Sequence, residues 1–369
     1  AAASGDGLAL ACSGDRAATR GLALRSARRR DVVTEYDGDL TTLDIDHLGR
    51  PMSASQIEAW PACPHAYFVR HLLDVRPLDD PTDEVALSPI ERGNVVHETL
   101  DRFHQLVVRA ELPQPGADGW GAEHVAALEQ IFDAVADEFE RSGRTGRAAH
   151  WFLDRRSVRA DLLNWFVRDG LTAAERGAHI VHSELRFGWD EPVTLPLPDG
   201  RALAVAGFVD RIDERTNGDL IVMDHKSGRA TNYANIDAAD PTEGRTRFQL
   251  PIYAAAALAQ RGETPGSTGV DVLAEYDFFG PGRYARHGYT FDQDVWRHVT
   301  DDLGAVVAGI ESGLYPAVTD PPKYQHIVDC HYCQPDGLGV DERYAEWVRK
   351  RHDPRLSNWF PLDDEEPDS

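Results

Sequence analysis

The chain has 369 residues, which is enough for one large domain or two ordinary ones with a sizeable core. Its 38 Lys and Arg against 62 Asp and Glu give a net charge of −24, which argues against nonspecific nucleic-acid binding over the whole surface. No apolar run reaches the length of a membrane span, and the alanine-rich start lacks the features of a signal peptide. We therefore expect a cytoplasmic protein.

The first part of the chain carries few structural signals. Residues 1–50 mix Gly, Ala, Arg and Asp, and we interpret them as an N-terminal segment or the tail of a preceding domain, with one β-like stretch at Val32–Tyr36. The first residue is not methionine, so we expect a fragment of a longer protein with a helicase-like domain upstream. Residues 51–345 are predicted to form the main domain, and 346–369 an acidic C-terminal tail.

Helices are predicted first within the main domain. One is expected to start near Gln56 and another follows Cys63, where aromatic and aliphatic residues recur at helical spacing. A largely helical part covers about 91–178, with a Gly/Arg-rich break at 142–146. A last long helix is predicted at 293–312.

A sheet follows the helical part, at about 179–291. Its predicted strands are His179–Phe187, Ala202–Ile212, Asp219–Asp224, Val270–Phe279 and Ala285–Phe291. The sequence therefore predicts an α/β fold with a central mixed sheet flanked by helices.

Two of these strands carry the residues with the clearest chemistry. Asp210 ends an apolar run in Gly-Phe-Val-Asp-Arg-Ile-Asp, and Asp224 ends the next run, in Asp-His-Lys-Ser-Gly. Because side chains alternate along a strand, Asp224 and Lys226 point to one side while His225 points away. Two carboxylates form a hard oxygen site suited to Mg²⁺ or Mn²⁺, and a lysine beside it can orient a water. The alternative is an ordinary surface hairpin with a charged end.

The sequence evidence for each of the other candidate residues is weak when that residue is considered alone. His97 lies one step round from an apolar helical stripe, where a histidine is commonly a surface or core residue. Gln249 and Tyr253, four residues apart, share one face of a helix that starts near Arg247. Glu184 lies in the first strand. The sequence has no ATP-binding P-loop, no Gly-x-Ser-x-Gly and no His-Glu-x-x-His, which excludes an ATP-driven motor and gives no support to a serine hydrolase or metalloprotease.

The motifs follow a recognisable order: Cys-Pro, Gly-x-x-x-His, a strand with Glu, Gly-x-x-Asp-Arg-x-Asp, Asp-x-Lys-x-Gly, Gln-x-x-x-Tyr and Cys-x-x-Cys. From about Ser53 to Cys333, this order resembles the PD-(D/E)XK nucleases of the RecB and AddB type, which include the CRISPR-associated nuclease that trims spacers. The resemblance implies a restriction-endonuclease-like core with a helical insertion.

The resemblance also implies roles for individual residues. The divalent metal would be bound by His97, Asp210, Asp224 and the backbone carbonyl of His225. Lys226 would position the attacking water. Gln249 and Tyr253 would help to hold DNA or the lysine. Glu184 would occupy a strand position whose role is less defined, and Asp213 would support the turn.

The cysteines match the family incompletely. Iron–sulfur members have one cysteine before the core and three after it, and Cys63, Cys330 and Cys333 match three of these, whereas Gly339 stands at the fourth position. A [4Fe-4S] cluster with a fourth ligand from elsewhere, zinc on three cysteines and a histidine, and a decayed site of packed thiols all stay open. The candidate fourth ligands are Asp336, His331 and Cys12.

The expected function is a Mg²⁺- or Mn²⁺-dependent DNA exonuclease or endonuclease acting on single strands or duplex ends. The resemblance places it in recombination and repair or in defence, with a helicase as partner. One alternative is a catalytically silent member of a helicase–nuclease complex that binds DNA ends or serves as a scaffold. A further alternative is a zinc-stabilised module without a nucleic-acid role.

Overall fold

The computed structural model describes residues 15–46, 48–76, 86–266, 269–279, 284–319, 341–357 and 359. Helices α1 to α9 span Arg16–Arg28, Ala54–Ala62, Pro64–Tyr67, Pro89–Val108, Ala122–Arg141, Ala148–Arg176, Gln249–Ala259, Gln293–Glu311 and Asp341–Lys350. Strands β1 to β7 span Ala178–Phe187, Val193–Pro196, Ala202–Val205, Gly207–Arg215, Leu220–Lys226, Val272–Phe278 and Ala285–Phe291. None of the helices in these ranges is long and apolar enough to cross a membrane.

The chain divides into two compact units. The terminal unit comprises Ala1–Gly49, Gln56–Pro77 and Leu303–Ser369, and the sheet unit comprises Arg50–Ser55 and Leu78–Asp302. Helix α8 contributes residues to both units. The candidate site lies in the sheet unit.

A five-stranded sheet with the order β1-β4-β5-β6-β7 forms the centre of the sheet unit. Strands β5 and β6 are parallel, and the other neighbours are antiparallel. This arrangement confirms the predicted α/β fold with a central mixed sheet. Antiparallel neighbours such as β4 and β5 can be joined by a short turn, whereas the parallel β5–β6 pair needs a crossover, which α7 supplies.

Helices α4, α5 and α6 pack together over a large apolar core. Its largest buried side chains include Phe103, Phe132, Trp165 and Phe166, and Ile180 of β1 joins them. Helix α4 begins where the sequence supplies a cap: Ser88 Oγ accepts a hydrogen bond from the backbone N–H of Glu91, and proline follows Ser88. This cap fixes the start of the helix that carries His97.

One predicted strand is two strands in the structure. The prediction of a single strand over Ala202–Ile212 is wrong, because β3 pairs with β2 in a separate two-stranded sheet and β4 begins anew at Gly207. Between them, the Ala206 N–H donates to the carbonyl of Met52 instead of to a strand partner. The apolar pattern runs on through Ala206, so the sequence gives no sign of this exchange of partners. Strand β2 was also missed.

The terminal unit corrects the prediction for the start of the chain. The β-like stretch at Val32–Tyr36 is not a strand, because the side chain of Thr34 donates to Asp37 (2.7 Å) and holds a turn. Val33 packs with Leu314 and Leu356 in a small core. Helix α1 also lies within residues 1–50, where composition gave no sign of it.

The start of the predicted acidic tail is ordered as well. Helix α9 extends to Lys350, past residue 346, and Lys350 Nζ donates to Asp37 (2.6 Å). The last acidic run, 363–366, lies outside the described residues. The domain boundaries proposed from the sequence therefore stay a prediction.

Candidate active site

The site forms where the ladder between β4 and β5 ends. Their last paired residues are Arg211 and Met223, so Asp210 and Asp224 come next and face each other across the strands. Here the backbone N–H of His225 donates to Asp210 Oδ2 (2.7 Å). A side chain thus replaces the strand partner, and the end of the ladder is open to a residue from outside the sheet.

His97 of α4 fills this opening. Its Nε2 is 3.0 Å from the carbonyl oxygen of His225, and its Nδ1 is 3.5 Å from Asp210 Oδ2 and 3.9 Å from Glu184 Oε1. Gly93, one helical turn earlier, allows the approach, because a Cβ there would lie 3.3 Å from Ser227 Oγ. The spacing Gly-x-x-x-His therefore has a steric reason as well as a chemical one.

Glu184 has an unusual backbone. Its φ of 46° lies in the left-handed region, although it sits within β1 between the paired residues Ser183 and Leu185. Such a conformation costs a non-glycine residue about 1–3 kcal/mol and is concentrated at functional sites. The Glu184 carboxylate is directed at His97, so the unusual backbone conformation occurs at a residue of the candidate site.

The three side chains of this cluster share a strongly negative environment. Their candidate donor atoms, from His97, Glu184 and Asp210, lie within 4.8 Å of one another. Burial raises the pKa of Asp210 to about 7, and the charges of Asp224 and Glu184 act in the same direction. Burial lowers the pKa of His97, but the contact with Glu184 and the charges of the nearby carboxylates outweigh it and raise the pKa to about 9. The neighbouring carboxylates therefore favour a positive charge on His97 and disfavour a further negative charge on Asp210.

Lys226 lies on the same face as Asp224, as predicted. Its Nζ forms an ion pair with Asp224 Oδ2 and donates to Gln249 Oε1 (2.9 Å). Burial lowers the pKa of Lys226, but the charge of Asp224 raises it overall, so the side chain is an ammonium at neutral pH. Gln249 opens α7, and Tyr253, four residues on, packs its ring against Phe187 (6.3 Å between centroids). The structure thus brings Gln249 to the lysine and places Tyr253 one turn further along.

His225 points its imidazole to the opposite face. The ring packs edge-on against Trp165, with 5.3 Å between centroids, and its Nδ1 lies 3.7 Å from Asp277 Oδ2. Burial holds the pKa of His225 well below its usual range, so the ring is neutral. Its backbone carbonyl faces His97, whereas its side chain points away from the site, as strand alternation predicts for the side chain.

A buried ionic network underlies this face, and the sequence did not reveal it. Asp169 of α6 accepts hydrogen bonds from Arg211 (2.8 Å) and Arg286 (2.9 Å). Arg286 also donates to Asp277 (3.1 Å), and Arg211 donates twice to Asp213. The expectation that Asp213 supports the turn is wrong, because its carboxylate is held inside β4 by Arg211. Asp169 belongs to no sequence motif, and its role is visible only from its contacts with two arginines in the structure.

Of the four cysteines, one lies within the residues that the structure describes. Cys63 is buried and precedes α3. Cys12, Cys330 and Cys333 lie outside the described residues, as do His331 and Asp336. The cysteine centre therefore stays a prediction.

Comparison with known proteins identifies the family. The family model described as "PD-(D/E)XK nuclease superfamily" matches residues 51–336, which is most of the chain. The chain belongs to the PD-(D/E)XK nuclease superfamily. The resemblance inferred from the motif order is confirmed. The matched range contains Asp210, Asp224 and Lys226 of the candidate site.

Curated relatives of this PD-(D/E)XK protein are named as one of the subunits of an ATP-dependent helicase/deoxyribonuclease. The protein from Heliobacterium modesticaldum is 29% identical over 223 residues, which is 57% of this chain and 17% of the relative. That from Lacticaseibacillus casei is 29% identical over 199 residues, or 50% of this chain and 16% of the relative. The chain thus spans about a sixth of the length of the relatives that it matches.

Proposed function

We propose that this chain is a metal-dependent DNA nuclease that hydrolyses phosphodiester bonds, acting as an exonuclease or endonuclease. The observation that carries the proposal is the convergence of His97, Glu184 and Asp210 beside the Lys226–Asp224 pair, at the open end of the β4–β5 ladder. Family membership supports the reaction class, and the names of the relatives support DNA as the substrate.

The donor set fits a divalent cation. It combines one imidazole with carboxylate oxygens, which suits Mg²⁺ or Mn²⁺. Burial first, and then the charges of Asp224 and Glu184, raise the pKa of Asp210, so a cation at this point would favour its ionised form. His97, Asp210, Asp224 and the carbonyl of His225 would hold the ion, and Glu184 is close enough to join them. When bound, such an ion polarises the phosphate and lowers the pKa of a coordinated water.

The chain's own residues supply orientation and charge. Lys226 Nζ is held between Asp224 and Gln249, and its remaining N–H group can donate to the attacking water or to a phosphate oxygen. In this role the ammonium orients the water and offsets the negative charge that grows on phosphorus. Gln249 accepts from the lysine, and in this proposal Tyr253, on the next turn of α7, would help hold the DNA.

The names of the relatives also motivate a proposal about context. We propose that the chain acts with a helicase, as part of the same protein or as a partner, in recombination and repair or in defence against foreign DNA. A helicase would separate the strands, and a nuclease site would cut them. Since the substrate is DNA within the cell, the proposed location is the cytoplasm.

Divalent-dependent cleavage of DNA is the direct test. Labelled single-stranded DNA is incubated with the full chain in Mg²⁺, in EDTA, and in EDTA followed by excess Mg²⁺. We expect cleavage in the first and third reactions. Stable binding without cleavage in Mg²⁺ and in Mn²⁺ would replace the proposal with a catalytically silent DNA-binding protein.

The iron–sulfur cluster is a separate proposal, because Cys63 supplies one thiol and its expected companions lie outside the described residues. Metal analysis of anaerobically purified protein tests it. About four irons per chain support a [4Fe-4S] cluster, whereas zinc or no metal excludes it.

A further inference from the structure

Two aromatic side chains are exposed beside the candidate site. About half of Trp189 (49%) and Phe208 (46%) is accessible to solvent, and their rings pack against each other with 5.3 Å between centroids. The guanidinium of Arg186 lies over the Trp189 ring, 4.7 Å from its centroid. Trp189, Phe208 and Arg186 together are called the aromatic patch below. Large rings left half in water are costly unless something covers them.

The aromatic patch is continuous with the candidate site. Phe208 lies two residues before Asp210 in β4, so both side chains face the same side of the sheet, about 7 Å apart along the strand. Arg186 is the register partner of Phe208 in β1, two residues after Glu184. Phe208 also lines a groove of about 720 Å³ together with His97 and Glu184. A nucleotide whose phosphate lies at the site can therefore reach these rings with its base.

The wall of the same groove that α4 and α5 supply is a poor path for a nucleic acid. Its Arg102 is bound by two carboxylates, donating to Glu98 (2.7 Å) and to both oxygens of Glu138 (3.0 and 2.7 Å). Asp101 adds further negative charge to the lining. Phosphates would be repelled there, since Arg102 is already neutralised and Arg144, also in the lining, pairs with Glu91 (2.6 Å).

The groove beside the aromatic patch is better suited to a phosphate, because its arginine is only weakly paired. Arg186 pairs with Asp190, but the side chains are 49% and 85% exposed, and such surface pairs are weak. The guanidinium can exchange this partner for a phosphate while staying over the Trp189 ring. A groove lined by Phe208, with Trp189 and the exchangeable Arg186 beside that ring, suits single-stranded nucleic acid, because every base has a face that stacks on an aromatic ring.

We propose that the aromatic patch is a stacking site for one unpaired base of the DNA strand that enters the candidate active site. The proposal rests on the proposed nuclease function and deepens it, because it makes an unstacked nucleotide the substrate at the point of cleavage. In duplex DNA the base faces are covered by their neighbours, so the strand must fray or be separated before the patch can bind it. A protein partner on the same rings is the competing occupant.

Binding to a fluorescein-labelled single-stranded oligonucleotide, followed by anisotropy, tests the patch. The full chain is titrated in Ca²⁺, with gels to verify that the DNA stays intact. We expect Trp189→Ala and Phe208→Ala each to weaken binding about tenfold, which is within the range for loss of one base–aromatic stack. Trp189→Phe should restore most of the affinity, and binding to a blunt duplex of the same sequence should not change.

Phe152→Ala is a matched control. Phe152 is 61% exposed and has the guanidinium of Arg156 over its ring at 5.8 Å, but it does not line the groove. Its loss should leave binding unchanged. An oligonucleotide series with one abasic position moved along the strand adds a positional readout. The wild type should lose affinity at one position, and Trp189→Ala should lose this dependence.

The outcomes separate the patch from the nuclease proposal. If the wild type cleaves the strand in Mg²⁺ but both alanine variants bind it as tightly as the wild type, the patch is not a stacking site and a protein occupant is favoured. Equal loss of duplex and single-strand binding would also overturn it, since stacking of an unpaired base cannot affect a closed duplex. If the wild type neither binds nor cleaves DNA, the nuclease proposal fails, and the stacking proposal falls with it.

Discussion

At the scale of single residues, the site is built by departures from regular structure. Asp210 accepts a backbone hydrogen bond where a strand partner would be expected, and Glu184 adopts φ of 46° inside a strand. Gly93 of α4 has no Cβ, which would lie 3.3 Å from Ser227 Oγ, and this eases the close packing of the helix that carries His97. Together they direct the three side chains of the proposed metal site to one point.

The strain at Glu184 can be measured by comparing two substitutions. Glu184→Gly and Glu184→Ala both remove the carboxylate, but glycine adopts the left-handed backbone freely whereas alanine does not. We expect the glycine variant to have the higher free energy of unfolding, by about 1 kcal/mol. Urea denaturation of both variants measures this difference. An alanine variant as stable as the glycine variant would show that β1 carries no strain here.

At the scale of secondary-structure elements, the open end of the β4–β5 ladder rests on the buried network. Asp169 in α6 joins Arg211 of β4 to Arg286 of β7, and Arg286 in turn contacts Asp277 of β6. The charges of the two arginines hold the pKa of Asp169 well below its usual range, against the effect of burial. The network thus fixes one helix to three strands beneath the candidate site.

Removing the centre of this network should be costly. Asp169→Ala leaves two buried arginines short of a counter-charge, and we expect the free energy of unfolding to fall by about 3–5 kcal/mol. Asp133→Ala is the control, because Asp133 pairs with Arg155 at the surface and its loss should cost less than about 1 kcal/mol. Denaturant midpoints of both variants provide the measurement. Similar costs for the two substitutions would contradict the structural role of the network.

Local patterns were sufficient to predict most elements of the sheet unit, but not β2 or the boundary between β3 and β4. Strand Ala285–Phe291 was predicted with the bounds it has, and the break at 142–146 falls between α5 and α6. Sequence order also grouped His97 with Asp210 and Asp224, because a family likeness carries information on distant contacts. The split at Ala206 was missed, since both strands are apolar and only their partners differ.

Features that depend on three-dimensional packing could not be predicted. Asp169 lies in a helix with no motif around it, and its role arises because Arg211 and Arg286 converge on it from two strands. Trp189 and Phe208 are separated by 19 positions and look like ordinary apolar residues in the sequence. Their exposure, which distinguishes them, is a property of the folded surface.

At the scale of the whole molecule, charge is the main obstacle to DNA binding. The net charge is −24, and the described arginines near the site are largely paired with carboxylates. Phosphates approaching the cluster of His97, Glu184 and Asp210 meet further negative charge. A divalent cation in this cluster reverses the local sign and lets a strand approach.

DNA binding should therefore depend on divalent ions. At constant ionic strength, we expect affinity for single-stranded DNA to be at least about tenfold higher in Ca²⁺ than in EDTA. In Asp210→Ala the difference should shrink, because one of the proposed ligands is gone. Anisotropy titrations of both proteins supply the comparison. Equal affinity in Ca²⁺ and EDTA for the wild type would mean that the ion plays no part in DNA binding.

The central claim, that Asp210 and Lys226 belong to a nuclease site, is tested most directly by single-turnover cleavage of labelled single-stranded DNA in Mg²⁺. Asp210→Ala and Lys226→Ala should each lower the rate by about a hundredfold or more, with the fold intact by circular dichroism. Asp294→Ala, which removes an exposed carboxylate at the start of α8, should cleave at the wild-type rate. Cleavage at the wild-type rate by either site variant would contradict the account.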